Sequence, residues 1–364
     1  MTSASMRKLS SFAEAQAKKY GEERTRNRYP PVIVPTGSWA LDWALRYGGW
    51  RRGQVYEILG NKDAGKSTLA LASLIQHRLM FPDLGVGYVG MENTFDPVRA
   101  RRMGLDCSDR AKAEGAWAPR LPDHSEDVSD MTRDLVNSGY MSCVVVDSVG
   151  AMDSDKIMGK SAEDAAKQVG INAKIISQMT KALATFARNN QCTLILINQP
   201  RAPIGTMSMQ DQSSGPKLLQ HATTSKIVMR PLGGDEDVRK LQLDGEDEPL
   251  KVSIKSRALV ERLKDGLPGR VAEFYVNRVG TPEYGPPGID NADECISLGV
   301  RQKAIEQKGG WYVLPDGTQV QGRIKLATAI RERPELQKMI RAAIPFEDIN
   351  DAELLEDDLA TDTR

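Results

Sequence analysis

The eight residues Gly60-Asn61-Lys62-Asp63-Ala64-Gly65-Lys66-Ser67 constrain this chain more than any other feature. They match G-x-x-x-x-G-K-[ST] and stand between a buried-strand pattern over 54–59 and a helical pattern over 66–79. Glycines there let successive backbone N–H groups curl around phosphate oxygens, and the helix start adds positive potential. Lys66 is placed to hold β- and γ-phosphates and Ser67 to ligate Mg²⁺, with Thr68 next in line. A plain glycine-rich turn is the weaker reading once the flanking strand and helix are considered. The chain is therefore expected to bind a nucleoside triphosphate together with Mg²⁺.

A metal held at such a loop needs an acid at the end of another apolar strand. Val144-Val145-Val146-Asp147 supplies it, Asp147 holding the ion through water; the alternative is an Asp that merely caps the next segment. Hydrolysis needs a carboxylate to orient water. Glu92, just after the strand that ends Val89-Gly90, is the candidate, against a plain surface Glu. Asp96-Pro97 reads as helix N-cap and first helical residue, with Asp96 also within reach of the base. Ile195-Leu196-Ile197-Asn198-Gln199 ends a third buried strand in an amide, so Gln199 can sense the γ-phosphate. The loop from 201 to 215 that follows is functional or disordered, and the residues alone leave both open.

Around these motifs strands alternate with helices. Strands are expected at 84–89, 142–146, 192–197, 226–230 and 251–263, and helices at 98–103, 125–138 and 169–188. Near-continuous apolar strands joined by helices imply an α/β fold with a mainly parallel sheet covered on both faces. Its functional loops belong at the carboxyl ends of the strands. An amphipathic helix over 6–24 precedes this body, and Tyr29-Pro30-Pro31 ends it. After 286 the texture becomes that of a small α+β domain. Helices are expected at 290–299, 301–307, 324–332 and 334–343, with a hairpin around Trp311-Tyr312-Val313-Leu314 and Asp316-Gly317. The expected organisation is 1–33 helix and linker, 34–285 core, 286–346 small domain and 347–364 tail.

Composition narrows the field. Aromatics at 5% disfavour a β-sandwich or lectin-like barrel, and three unpaired histidines exclude a His-based metalloenzyme. No apolar run approaches the ~20 residues of a membrane span. The polar, basic start is not expected to be a signal peptide. Cys107, Cys143, Cys192 and Cys295 lie too far apart for a zinc site and read as reduced, intracellular core residues. Charge is balanced at 49 basic and 49 acidic residues, yet residues 347–364 carry eight acids and one base. The rest of the chain is therefore +7, which suits nucleic acid, while the tail either competes with phosphate or only aids solubility.

Taken together these motifs resemble the RecA recombinases, colinearly from about residue 8 to 344. Besides the phosphate loop, the resemblance rests on several segments. They are Pro35-Thr36-Gly37-Ser38 with Leu41-Asp42 and Gly48-Gly49, Glu92 with Asp96-Pro97 and Ala100-Arg101, and Val144 to Val149. Ile197-Asn198-Gln199 with Arg201 and Ile204-Gly205, and Leu298-Gly299-Val300 with Gly310-Trp311-Tyr312, complete the set. The resemblance implies a DNA-dependent ATPase that polymerises as a helical filament on single-stranded DNA, with ATP between protomers. It would then search duplex DNA and exchange strands in the cytoplasm, with single-strand-binding and loader proteins as further partners. The N-terminal helix would pack on a neighbouring core. Loops at 155–168 and 201–216 would line the DNA, with Lys156, Lys160 and Arg201 on phosphates and Gly205 and Gly215 in the second loop.

Some residues depart from the family pattern. Arg99 stands where a Tyr stacks on adenine, Pro216 replaces a glycine and His221 replaces an aromatic that links ATP to DNA binding. RecA also sends two lysines to the neighbour's γ-phosphate. A gapless alignment through Ala272-Glu273-Phe274 puts Arg262 and Lys264 there; the rival register uses Lys255 and Arg257. Such divergence suits a phage-encoded member, which would work in its host's cytoplasm. A hexameric helicase with the same core, and a recombination mediator without turnover, are the competing readings.

Overall fold

The computed structural model describes residues 31–90, 95–149, 182–200, 222–242, 248–264 and 266–344, with residues 11, 14, 15, 18 and 19 near the N-terminus. The chain divides into two compact units, Met1–Val32 and Ile33–Arg364. In the first, residues 11, 14, 15, 18 and 19 are helical, as the amphipathic pattern predicts, and the rest of 6–24 lies outside the described residues.

The second unit opens with a two-stranded ribbon, β1 (Ile33–Val34) against β2 (Trp50–Arg51), which brackets the short helix α1 (Trp39–Ala44). Ser38 caps α1 by accepting from the Leu41 N–H. The main sheet follows. Its parallel half runs, in spatial order, β8 (Ser225–Pro231), β3 (Val55–Gly60), β7 (Thr193–Asn198), β6 (Met141–Asp147), β4 (Gly85–Gly90) and β5 (Trp117–Arg120). Every residue of β3, β4, β6 and β7 is buried, because helices cover both faces, and this is why these strands read as near-continuous apolar runs. The connecting helices are α2 (Lys66–Met80), α3 (Pro97–Met103), α4 (Asp109–Ala113) and α5 (Ser125–Asn137), and residues 182–190 are also helical.

Beyond β8 the sheet turns antiparallel through β10 (Leu250–Leu263), β11 (Val271–Asn277) and β12 (Gly288–Ile289), with β9 (Val238–Leu241) on the start of β10. The β10–β8 register shifts between Val260 and Arg262, so Glu261 is the extra residue of a β-bulge. Two apolar clusters flank the sheet. Ile58, Leu69, Val145, Ile195 and Phe274 belong to one, and Val55, Val144, Val146, Leu194 and Leu196 to the other. All four cysteines are free and buried. Among the described residues, no helix is long and apolar enough to cross a membrane.

The C-terminal elements are α6 (Asn291–Arg301), the three-stranded sheet β13 (Glu306–Lys308), β14 (Trp311–Val313) and β15 (Gln319–Gln321), then α7 (Arg323–Glu332) and α8 (Pro334–Ala343). The expected helix at 301–307 is not present. Lys303 takes a left-handed φ of 59°, the Ile305 N–H donates back to the Gly299 carbonyl at 2.9 Å, and the chain reverses into β13. Ile305 is then buried with Ile296, Leu326, Ile330 and Ile340 in a third cluster that also takes in Trp39. Arg239 ties these elements to the sheet. It bonds Asp290 at 2.7 Å and Asp293 at 2.8 Å and lies over the rings of Tyr275 and Tyr284.

Two buried acids sit where α1 meets this C-terminal part. Glu294 accepts from Ser38 Oγ and from the Trp39 N–H (3.1 Å). Asp42 accepts from the Thr36 N–H (2.7 Å) and faces Arg341 at 3.6 Å. Burial pushes Asp42 up to about 7, against the pull of Thr36 and Arg341, and Glu294 up to about 8. The folded protein thus keeps two protons that the unfolded chain releases above about pH 4, so stability falls as pH rises toward 8. Each group contributes at most about 1.4 kcal/mol per pH unit. His77 is buried in α2 and held neutral, burial lowering it to about 3; it acts in the opposite sense below about pH 6.5. The decline is therefore steepest between about pH 6 and 7.5 and fades as Asp42 and then Glu294 lose their protons. Thermal melts across that range should show it. Asp42→Asn, which keeps the acceptor for Thr36, should flatten it, and an unchanged slope would remove Asp42 from the cause.

Candidate nucleotide-binding site

The phosphate loop lies at the carboxyl edge of the parallel strands, where β3 passes into α2. Sterics explain both glycines. A Cβ on Gly60 would lie 2.3 Å from the Met229 carbonyl oxygen of β8; one on Gly65 would meet Val276 of β11 at 2.8 Å, at a φ of 85°. Within the curl, Lys66 is buried and its Nζ donates to the Asn61 carbonyl at 2.7 Å. Asp63 holds a left-handed φ of 64° and pairs at 3.5 Å with Arg278, a residue the motif did not single out.

The two expected metal ligands meet. Ser67 Oγ donates to Asp147 Oδ2 at 2.7 Å, and Tyr88 OH donates to the same oxygen at 2.8 Å. Asp147 ends β6, whose neighbours β4 and β7 pair with it through Gly90 and Ile197. A hydroxyl and a carboxylate beside a helix N-terminus and a buried ammonium form the oxygen donor set that Mg²⁺-bound phosphates require. The residues therefore fit that pair of cofactors. Tyr88 was legible only as a polar tip in an apolar strand.

Asp96 caps α3, accepting from the Val98 and Arg99 N–H groups at 2.9 and 3.0 Å. Arg99 reaches back to donate to Thr68 Oγ1 at 2.7 Å, which binds α3 to the first turn of α2. Burial lowers its pKa, with Asp96 opposing. Gln199 follows β7, beside Gly60 because Leu59 pairs with Asn198; its N–H donates to Asn198 Oδ1 at 2.9 Å. Thus Gly60 to Thr68, Asp96, Arg99, Asp147 and Gln199 share one edge.

Arg262 and Lys264 do not join them. They lie near the other end of the sheet, where Arg262 pairs with Lys226 and the Lys264 N–H donates to the Thr224 carbonyl at 3.0 Å. The Arg262 guanidinium donates to Thr223 Oγ1. Burial lowers its pKa, with Glu57 and then Glu261 opposing. Lys255, of the rival register, pairs with Glu273 at 3.3 Å and Asp237 at 3.9 Å. Arg257 sits beside Ala258, which is level with Met229 and hence with Gly60. Glu92, Lys156, Lys160, Arg201, Gly205, Gly215, Pro216 and His221 lie outside the described residues.

Comparison with known proteins bears on the same stretch. A family model described as the RecA N-terminal domain matches residues 6–258. Protein RecA of Thermus thermophilus is 31% identical over 320 residues, covering 86% of this chain and 84% of that protein. Protein RecA of Corynebacterium efficiens is 29% identical over 338 residues, covering 92% and 78%. The family match spans the phosphate loop, the Asp147 strand and the Gln199 strand that meet at this edge, and the identity extends well past them: the chain belongs to the RecA family.

Proposed function

We propose that this protein is an ATP-dependent homologous recombinase that forms helical filaments on single-stranded DNA. In this reading it pairs and exchanges homologous strands and hydrolyses ATP in a DNA-dependent manner. The observation that carries the reading is the Lys66–Ser67–Asp147 cluster at the carboxyl edge of a RecA-family sheet. Lys66 would bind the β- and γ-phosphates, the loop N–H groups would orient them, and Glu92 would position the attacking water. Mg²⁺, held by Ser67 and Asp147, would neutralise phosphate charge. Gln199 would report the γ-phosphate to the segment after it, where Arg201, Gly205 and Gly215, together with Lys156 and Lys160, would follow the DNA backbone. Residues 1–33 would contact the next protomer, 34–285 form the ATPase core, 286–346 a small domain and 347–364 an acidic tail. The site of action would be the cytoplasm.

Head-to-tail assembly joins two different patches of one protomer, so a residue acting on the neighbour's nucleotide belongs away from its own. Arg262 and Lys264 meet that condition, whereas Arg257 lies level with its own phosphate loop. Replacing Arg262 or Lys264 with Ala should lower ATP hydrolysis only in the assembled state, and mixing with Lys66→Ala protein should partly restore it. Loss confined to Lys255 or Arg257 variants would favour the rival register. Negative-stain microscopy with single-stranded DNA and a non-hydrolysable ATP analogue tests the proposal as a whole. A long helical filament supports it; a closed ring points to a helicase, and no assembly to a mediator.

A further inference from the structure

β3 carries one anomaly. In Val55-Tyr56-Glu57-Ile58-Leu59-Gly60 the carboxylate of Glu57 is fully buried, in a strand covered on both faces. A buried charge is retained only when its surroundings offset it, and here an amide bonds it on one side while two cations stand in register on the other. Toward β7, Asn198 Nδ2 donates to Glu57 Oε1 at 2.9 Å, and Asn198 Oδ1 accepts the Gln199 N–H at 2.9 Å. Toward β10, the register sets Glu57 opposite Lys226, and Lys226 opposite Arg262. Directly paired residues of adjacent strands share a face, so acid, lysine and arginine form one row.

The far end of the row is built as carefully. Lys226 is buried and ion-pairs at 2.5 Å with Glu261, the extra residue of the bulge. Ser225 Oγ donates to the Arg262 carbonyl at 2.7 Å, and the guanidinium donates to Thr223. A polar row thus crosses four strands, from the backbone of Gln199 to the side chain of Arg262, on a face otherwise made of Val55, Leu194, Leu196, Val144 and Val146.

We infer that Glu57 is a positioning residue for ATP hydrolysis: its carboxylate, bonded to Asn198 and standing in register with Lys226 and Arg262, holds the nucleotide-sensing Gln199 and the neighbour-directed Arg262 as one unit. The inference rests on the roles proposed above for those two residues. A buried carboxylate has few alternative partners, so a shift of the amide on one side changes how firmly the cations on the other are held. The nucleotide state of one protomer thereby biases the site it completes on the next, and turnover along an assembly becomes cooperative.

The test uses full-length protein on single-stranded DNA, reading kcat, KM and the Hill coefficient for ATP in Glu57→Gln, Arg262→Ala and the double variant. Glu57→Gln should lower kcat on the order of tenfold, as for loss of a charge-assisted contact. KM should stay within about twofold, and the Hill coefficient should fall toward one. On the Arg262→Ala background the same substitution should cost nothing more, because the shared partner is already gone. An equal further loss there would mean that Glu57 only supports the fold, and would overturn the inference. Wild-type kcat and Hill coefficient in Glu57→Gln, with Arg262→Ala impaired, would overturn it while leaving the role of Arg262 standing. Full activity of Arg262→Ala alone would remove both. Thermal melts report whether Glu57→Gln folds. If it does not, Asn198→Ala cuts the same link, and unchanged cooperativity in that variant overturns the inference.

Discussion

Lys66→Ala protein should fold normally and yet fail to assemble on single-stranded DNA when ATP is added. The Lys66 side chain belongs to the interior of the loop curl, with Nζ at the Asn61 carbonyl. Its loss leaves the sheet and α2 intact. What disappears is the ammonium proposed to face the β- and γ-phosphates. A hydrogen bond to a charged group contributes about 1.5–3 kcal/mol, so nucleotide affinity should fall roughly ten- to a hundredfold, and DNA-stimulated hydrolysis with it. Titration with a fluorescent ATP analogue, beside a pelleting assay for assembly, reads both quantities. Assembly at wild-type ATP concentrations would mean that Lys66 does not hold the phosphates.

Glu92→Gln should behave in the opposite way. Binding and assembly should persist because the amide preserves shape and removes only the proposed base. Hydrolysis should fall by about 10²–10⁴, the usual contribution of a positioned general base. Glu92 lies two residues beyond Gly90, and Gly90 pairs with Asp147, so the chain leaves β4 at the edge that holds Ser67 and Lys66. Assemblies of this variant should outlast those of the wild type after ATP is chased away. DNA-stimulated turnover that survives the substitution would reassign the role.

The candidate nucleotide site could be assembled from the sequence because its parts are local. A glycine-lysine-serine loop, an acid closing Val144-Val145-Val146 and an amide closing Leu194-Ile195-Leu196-Ile197 each announce themselves within a few residues, and parallel strands bring such ends to one edge. What escaped depends on pairing across the chain. Glu57 was visible as an acid among apolar residues, but its bond to Asn198 and its place beside Lys226 and Arg262 follow only from strand order. β5 escaped because Pro119 weakens a strand pattern; at the edge of the sheet, where β5 lies, a missing donor is tolerated. The helix expected at 301–307 failed at Lys303, where backbone reversal places Ile305 against Gly299, an outcome decided by tertiary packing. The antiparallel extension through β10 and β11 was hidden for the same reason, since extended residues look alike whichever way their neighbour runs.

The junction of α1 with the C-terminal elements has a consequence for synthesis. Ser38 and Glu294 are 256 residues apart, and Arg341 reaches Asp42 from further still. A ribosome adding roughly 5–20 residues per second needs about 10–50 s to cover that interval. Throughout it Trp39, whose buried surroundings are supplied by residues from 292 onward, has no cover on the nascent chain. The first elements to emerge are therefore among the last to be completed. A message cut short before α6 would release a chain carrying the whole phosphate loop but with that early segment bare, a natural target for chaperone or protease.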